Sequence, residues 1–307
     1  MRRLAHERAT TMFRNARIYR LESDWPESEE AASSELAKAG FTPCGPLTER
    51  SSGWVEIDLA MGDSLARRLN GAELLKLRSQ SRVLPAAVIN EALDERVEEY
   101  RQRMDENPGR REKRRLKAET RDELLPKALL KSDKIWGYID LGEKLIVIDS
   151  GQGAAAERFL RHLRMPFGEL SIRPLKFKEP VAGLLNQIFL GNGPENFALG
   201  RECRMQDATD VHSTVRWNDF DLSDSTIRNH VADGMHLTHL AIVYDNILSC
   251  VIDEHGVISK IKFLGVDADE TKDEQDPLAR FDAEFVLLTG TLRRLLAELK
   301  KLLGGYD

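Results

Sequence analysis

The chain has 307 residues, of which 41% are hydrophobic and 31% charged, and a chain of this size can bury a substantial core without disulfides. Its 11 Pro and 21 Gly exclude collagen-like and low-complexity proteins, and its hydrophobic content excludes an intrinsically disordered one. The formal net charge is −6, so any binding that uses basic residues must depend on local clusters of them.

The cysteines and the apolar segments predict the cellular compartment of the protein. Cys44, Cys203 and Cys250 form no C-x-x-C pair, which predicts structural thiols in a reducing compartment and no metal site. No segment has the length of a membrane span or the apolar core of a signal peptide, which predicts a cytoplasmic protein without a membrane partner. Residues 1–11 lack apolar periodicity and are expected to be a disordered extension or to precede a start at Met12.

In chain order, the patterns predict an α+β fold with mixed or antiparallel sheets and flanking helices. Polar and apolar residues alternate over 74–84, which predicts a strand. After Pro85, apolar residues at intervals of three and four predict a helix that ends at 107–109. Residues 96–121 hold ten basic and six acidic side chains, which predicts a basic helical arm.

The rest of the chain predicts a series of short elements. In order, these are a hairpin at 135–149, a helix near 154–164, a strand near 170–174, a helix after Pro180, a helix capped by Ser223, an antiparallel meander at 237–264, an acidic loop at 266–284 and a terminal helix with a leucine stripe at 292–303.

Motifs for common enzyme classes are absent from the sequence. It contains no Walker, dinucleotide-binding, zincin or nucleophile-elbow pattern, and Gly151-Gln152-Gly153 is more simply a tight turn than half a phosphate loop. His236 and His239 are expected to face opposite sides of a strand. Four carboxylates of the C-terminal half leave a metal-dependent nuclease open as an alternative, although turns and a solvated loop explain them more simply: Asp245, Asp253, Asp267 and Asp269.

Two predicted strand faces carry basic residues. Lys76, Arg78 and Arg82 share one face by two-residue alternation, as do Lys260 and Lys262 on a later strand. Such faces can contact phosphates without reading bases, and a plain solvated sheet face has about equal weight. Because strands hold cations rigidly, we expect these residues to contribute more to phosphate binding than the arm.

Eight short segments occur in an order that is typical of one protein family. They are FRNARIYRL (13–21), FTPCG (41–45), GWV (53–55), LPAAVI (84–89), LLPKA (124–128), LSDSTIRNH (222–230), ISKIKF (258–263) and RFDAEFVLLTG (280–290). Together they resemble the RdgC family of bacterial recombination-associated proteins, from about Met12 to the C-terminus.

The resemblance implies a function and an assembly. The expected protein is a non-catalytic homodimer of curved, multi-subdomain chains closed into a ring, which encircles duplex DNA without sequence preference, also binds single strands, and opposes RecA at the nucleoid. No cofactor or metal is implied. The implied subdivisions of 12–307 are a strand-rich part (12–85), the basic arm (86–131), a ββαβ unit (132–180) and a C-terminal α+β part (181–307).

The residues expected to act are cations and two leucines. Leu129 and Leu130, predicted on a short helix after Pro126, are expected at a dimer contact, where the family carries aromatic residues. Basic residues typical of the family are replaced at Asn218, Asp219, Met235 and His239, so no DNA contact is predicted between residues 204 and 239. A protein-interaction module without DNA affinity stays open as another alternative. The predicted DNA contacts are Lys76, Arg78, Arg82, Lys117, Arg121, Lys127, Lys260 and Lys262.

Overall fold

The computed structural model describes residues 12–57, 62–168, 170–210, 212–265 and 276–307. These residues form twelve strands and seven α-helices. The strands are β1 (Asn15–Leu21), β2 (Arg50–Trp54), β3 (Ala66–Leu69), β4 (Ala72–Val83), β5 (Leu129–Asp140), β6 (Leu145–Ile148), β7 (Ile172–Pro174), β8 (Phe197–Asp207), β9 (Thr214–Asn218), β10 (Met235–Tyr244), β11 (Leu248–Asp253) and β12 (Ile258–Phe263). The helices are α1 (Glu29–Ala37), α2 (Ala86–Met104), α3 (Arg110–Leu124), α4 (Gly153–Phe167), α5 (Val181–Phe189), α6 (Ser225–Ala232) and α7 (Pro277–Leu302).

All twelve strands belong to one sheet, in the order β2-β4-β5-β6-β1-β12-β11-β10-β8-β9, with β3 beside β4 and β7 beside β1. Every ladder between these strands is antiparallel. Strand β1 joins the two halves of the sheet, because Asn15 and Ala16 pair with β12 while residues 17–20 pair with β6. The predicted α+β class and antiparallel pairing are confirmed, with one sheet where several were expected.

Helices cover both faces of the N-terminal half of the sheet. Leu74 and Leu75 are adjacent in β4 and fully buried, but they enter different cores. Leu74 packs in the core that contains Phe285 of α7, and Leu75 in the core that contains Phe159 of α4. Because neighbouring strand residues point to opposite faces, this half of the sheet is apolar on both sides, as in sheets sandwiched between helices.

Two glycines allow segments to cross this sheet closely. A Cβ atom on Gly53 would lie 2.5 Å from the backbone of Phe41, and one on Gly137 would lie 2.5 Å from the Phe159 ring. The first contact lets Phe41 N donate to Trp54 O at 2.9 Å, while Trp54 N donates to Ala39 O at 3.0 Å. The segment before Phe41 therefore covers part of the sheet edge at β2 and limits edge-to-edge pairing there.

Most predicted elements are confirmed. The hairpin is β5–β6, the meander is β10–β11–β12, and the helices after Pro85, near 154–164 and after Pro180 are α2, α4 and α5. Gly151-Gln152-Gly153 forms a tight turn into α4, in which Gln152 N donates to Ser150 Oγ at 3.1 Å.

Leu129 and Leu130 lie on a strand and not on a helix, contrary to the prediction. A short 3₁₀ turn covers Leu125–Lys127 only, and β5 then begins at Leu129 because Val83 and Arg82 of β4 pair with these two residues. The long β4–β5 ladder overrides the local helical pattern that follows the arm.

Two helix starts also differ from the predictions. Asp224, not Ser223, caps α6, and its side chain accepts a hydrogen bond from Thr226 N at 2.8 Å. Helix α7 begins at Pro277 after the cap Asp276, so the last residues of the predicted acidic loop are helical.

Some predictions fall on residues that the structure does not describe. They are the N-terminal extension at residues 1–11 and the acidic residues Asp267 and Asp269.

Candidate nucleic-acid interface

A hairpin of two helices, α2 and α3, forms the predicted basic arm. Pro85 precedes α2, where its fixed φ suits a helix start, and Asp105 ends the helix in a left-handed conformation with φ 54°. The buried residues are Ile89 and Leu93 near the start of α2 and Thr120 near the end of α3. The arm is therefore packed where it joins the sheet and solvated towards its tip.

The solvated part of α3 carries cations that no described residue neutralises through an ion pair. Arg110, Arg111, Lys113 and Arg114 are exposed, and none forms an ion pair with a described residue. Arg115, in contrast, lies 2.6 Å from Glu112 and 3.5 Å from Glu119. Five cations recur along α3 at intervals of three and four and so form one stripe, which we call the α3 stripe: Arg110, Lys113, Arg114, Lys117 and Arg121.

The three predicted contact residues at the base of the arm have polar partners. Lys117 Nζ donates to Asn90 Oδ1 at 3.0 Å, and Arg121 Nη2 lies 2.5 Å from Glu49 Oε1. Lys127, in the 3₁₀ turn, is exposed, with Nζ 3.9 Å from Glu123 Oε1. The structure brings Lys117 and Arg121 together with Arg82 around one cavity of about 250 Å³.

Lys76 does not lie on an exposed strand face, contrary to the prediction. The residue is 8% exposed, its Nζ donates to Ile57 O, and it lies 5.0 Å from the centre of the Trp136 ring. The two-residue alternation at 74–84 is that of a strand, but helices and loops cover both faces of β4 there, so its polar face is not solvated. Lys76 supports the fold.

Arg78 and Arg82 are also engaged by the protein. Arg82 donates to the Gly45, Pro126 and Ala128 carbonyls at 3.0 to 3.3 Å, so it fastens the chain that leaves the arm. Arg78 stacks on Phe41 at 4.6 Å. A phosphate approaching Arg78 meets an acidic groove, because the residues that line it with Arg78 include Glu30, Glu56 and Asp63.

Lys260 and Lys262 are exposed on β12, but a bulge interrupts their alternation. Lys260 has φ 53°, and the β11–β12 register shifts between Ser249 and Val251, which is the pattern of an extra residue in one strand. Lys260 forms an ion pair with Glu202 of β8. Lys262 forms no ion pair within the described part of the chain.

Sequence reasoning missed the arginines beside Lys260. Glu202 also accepts a hydrogen bond from Arg216 Nη2 at 2.8 Å. Arg216 of β9 lies directly opposite Arg204 of β8 in the ladder between these strands. Strands β12 and β8 are three strand positions apart, about 14 Å on a flat sheet, so the long Lys260 side chain reaches across β11 and β10 to Glu202 on the same face. The sequence signal was two-residue spacing: Glu202 and Arg204 lie on one face of β8, and Arg216 and Asn218 lie on the same face of the neighbouring strand β9.

Glu202 stays ionised among these cations. Burial raises its pKa, but the ion pairs with Lys260 and Arg216 outweigh burial and leave the pKa below its ordinary value. One carboxylate thus neutralises part of a basic surface on the C-terminal half.

His236 and His239 share a face of β10, contrary to the prediction of opposite faces. A register shift between Leu237 and His239 marks a bulge, so Leu237 and Leu240 both enter the same core. His236 Nε2 lies 4.0 Å from Glu254, and burial lowers the pKa of His239.

Among the residues that the structure describes, no three His, Cys, Asp or Glu side chains form a group that could hold a metal.

Asp245 and Asp253 are turn residues. Asp245 has φ 51° in the β10–β11 turn, and Asp253 Oδ1 accepts hydrogen bonds from His255 N at 2.9 Å and Val257 N at 2.8 Å. They flank β11 at opposite ends, about 20 Å apart for a strand of this length. Carboxylates of a two-metal site converge on ions about 4 Å apart, so these two cannot form one.

The cysteines have structural environments. Burial raises the pKa of Cys203 and of Cys250 to about 12, which makes both thiols unreactive at neutral pH. Cys44 is half-buried, and its N and Sγ both bond to Gln80.

Leu129 and Leu130 are exposed, at 80% and 46% of their surface, as is Val83, which pairs with Leu129. The edge of β5 that faces away from β4 has no strand partner over 129–135 within the described residues. An exposed apolar patch beside an unpaired strand edge is typical of an interaction surface.

None of the helices among the described residues is long and apolar enough to cross a membrane.

Comparison with known proteins identifies the family. The model of the family described as "Putative exonuclease, RdgC" matches residues 11–306. The chain is 32% identical over 296 residues to the Recombination-associated protein RdgC of Edwardsiella ictaluri, covering 95% of this chain and 98% of that protein. The protein of the same name from Janthinobacterium sp. is 31% identical over 297 residues, with 95% and 98% covered, and that from Halorhodospira halophila is 32% identical over 297 residues, again with 95% and 98% covered. The chain therefore belongs to the RdgC family of recombination-associated proteins.

Proposed function

We propose that this chain is a non-catalytic, sequence-independent DNA-binding protein, which encircles duplex DNA as a ring-shaped homodimer and modulates RecA-dependent recombination in the nucleoid. The single observation that carries the proposal is the α3 stripe. Its outer cations, Arg110, Lys113 and Arg114, are exposed and have no ion-pair partners among the described residues. Contacts of this kind bind phosphates of any sequence and release counterions.

Charge segregation lets a protein of net charge −6 bind a polyanion. Seven of the fifteen residues of α3 are basic and four are acidic. Arg204, Arg216, Lys260 and Lys262 add a second basic surface on the C-terminal half of the sheet. Local potential steers DNA, while the remaining acidic surface keeps the protein soluble.

The patch of Val83, Leu129 and Leu130 supports a dimer contact. A closed ring of two chains needs two contacts, each related to itself by the same two-fold axis. The exposed leucines and the edge of β5, which has no strand partner among the described residues, suit one of these contacts. The contact would lie beside the base of the arm, so a dimer would place two arms near the bound duplex.

Incubation with supercoiled plasmid in Mg²⁺ or Mn²⁺ tests the proposal against its alternatives. We expect the plasmid to be retarded in a gel and recovered intact after protein removal. Nicked or degraded plasmid would establish a nuclease, as the family description suggests. Unshifted plasmid would favour an interaction module without DNA affinity. Assembly of RecA on single-stranded DNA with and without the protein tests the proposed modulation.

A further inference from the structure

The cavity between the arm and the sheet has an excess of positive charge. Its walls carry Lys117 and Arg121 from α3, Arg82 from β4 and Glu49, over an apolar floor. The Arg82 guanidinium is already bonded to three backbone carbonyls. Lys117 and Arg121 are therefore the cations that a ligand in the cavity can reach.

Lys117 and Arg121 lie one helical turn apart, where like charges repel each other. Lys117 is bonded to Asn90, an uncharged side chain. Glu49 is thus the carboxylate in this cavity that opposes two neighbouring cations, and its Oε1 lies 2.5 Å from Arg121 Nη2.

The Glu49 backbone is fixed, but its side chain is accessible. Its carbonyl accepts a hydrogen bond from Arg82 N at 2.9 Å, whereas the side chains of Glu49 and Arg121 are 54% and 50% exposed. Ion pairs this exposed contribute little to stability. A phosphate can offer arginine two parallel charge-assisted hydrogen bonds, so it can compete with the carboxylate for Arg121.

We propose that Glu49 is an internal counterion that occupies a phosphate-binding pocket formed by Lys117 and Arg121, and that a backbone phosphate of DNA displaces it. This inference rests on the proposed DNA-binding function and assigns one phosphate site within it. The pocket lies at the sheet end of the α3 stripe, so phosphates that follow the stripe arrive there. Glu49 weakens DNA binding and so keeps non-specific affinity low.

Removal of the Glu49 charge tests the proposal. Fluorescence anisotropy with a labelled random-sequence duplex should show about fivefold tighter binding by Glu49→Gln at low salt, as expected for one fewer opposing charge at close range, and a smaller gain at high salt. The matched control is Glu143→Gln, because Glu143 forms a similarly exposed ion pair with Lys300 at 3.6 Å on another part of the surface. The control should bind like the wild type.

Removal of the two cations tests the site itself. Lys117→Gln with Arg121→Gln should lower the slope of log affinity against log salt by about 1.8, which corresponds to two lost phosphate contacts. In the protein that already lacks both cations, Glu49→Gln should not change DNA affinity further. The charge-preserving exchange Lys117→Arg with Arg121→Lys should keep the wild-type slope, which separates loss of charge from misfolding.

Three outcomes would overturn the proposal. The first is that Glu49→Gln binds like Glu143→Gln, and the second is that its gain persists without Lys117 and Arg121. In both cases the wild type still binds DNA with a steep salt dependence, so only the pocket is refuted. The third is a wild-type protein that does not bind DNA, which refutes the proposed function and the pocket together.

Discussion

Arg82 shows how a basic strand residue can serve the fold while its position in the sequence resembles that of a ligand contact. Its guanidinium joins the loop at Gly45 to the chain at Pro126 and Ala128, which fixes the base of the arm to β4. Lys76 plays a comparable part beside Trp136. Both side chains are held by groups inside the protein, so their removal should affect stability first.

Arg82→Ala should lower the free energy of unfolding by about 1.5 to 3 kcal/mol, because the carbonyls that it bonds lose a charged partner. Urea denaturation measures this loss. Lys262→Ala is the control, since this exposed side chain forms no ion pair with a described residue and its loss should change stability by less than about 0.5 kcal/mol. A stable Arg82→Ala variant with weakened DNA binding would instead establish Arg82 as a DNA contact.

His239 should make stability depend on pH. Burial lowers its pKa in the folded protein, and Asp253 only partly offsets this. A lowered folded pKa means that stability present above about pH 6.5, the ordinary value in the unfolded chain, is lost as the pH falls through the folded pKa. Thermal melts from pH 7 to 5 should therefore show a larger loss for the wild type than for His239→Gln. The exposed His255→Gln should follow the wild type, and equal losses in all three proteins would contradict the assignment.

At the scale of elements, the arm differs from the strands in how its charges are used. Arg78 stacks on Phe41 in an acidic groove, and Lys260 is neutralised by Glu202. The outer cations of α3 have no such partners among the described residues. We therefore infer the opposite of the expectation drawn from strand rigidity, because Arg78 and Lys260 are held by contacts that also occupy them, whereas Lys262 alone of these strand cations is exposed without an ion pair to a described residue.

Arg111→Glu with Arg114→Glu should weaken duplex binding by at least about tenfold and lower the salt slope by about 2, since each lost phosphate contact removes about one unit. Arg78→Glu with Lys262→Glu should weaken binding less. Both double variants change the net charge equally, so anisotropy titrations compare placement alone. A larger loss from the strand pair would show that the strand face is the main contact.

Local patterns predicted the elements well and the exposure of their side chains poorly. Helix α2 after Pro85 and the β5–β6 hairpin follow from periodicity and turn residues, which act over a few residues. The burial of Lys76 depends on the distant Ile57 and Trp136, and the bulge at Lys260 depends on its register with β11. Such long-range contacts leave no signal in residue alternation, and neither does the Glu49–Arg121 ion pair.

At the scale of the molecule, one sheet carries two separate basic surfaces and an exposed apolar patch. Strand β1 joins the half of the sheet that carries the arm to the half that carries the second basic surface. The arm and the patch of Val83, Leu129 and Leu130 meet at the end of the β4–β5 ladder. Assembly at this patch would therefore determine where the arms lie relative to DNA.

Sedimentation equilibrium should show a dimer at micromolar concentration, because a closed ring requires it. Leu129→Asp should shift the equilibrium towards monomer by placing a charge in an apolar contact. An unchanged circular dichroism spectrum would be the check on folding, and Lys144→Asp, also on an exposed position, would be the control. A wild-type monomer together with no effect of Leu129→Asp would contradict the ring.

Salt-dependent binding tests the central claim most directly. Affinity of the wild-type protein for a random duplex should fall steeply between ~50 and ~200 mM salt, as expected when several phosphate contacts release counterions. Unlabelled genomic DNA should compete as well, per base pair, as the duplex itself. A flat salt dependence, or a preferred sequence that survives competition by genomic DNA, would contradict sequence-independent binding through a basic surface.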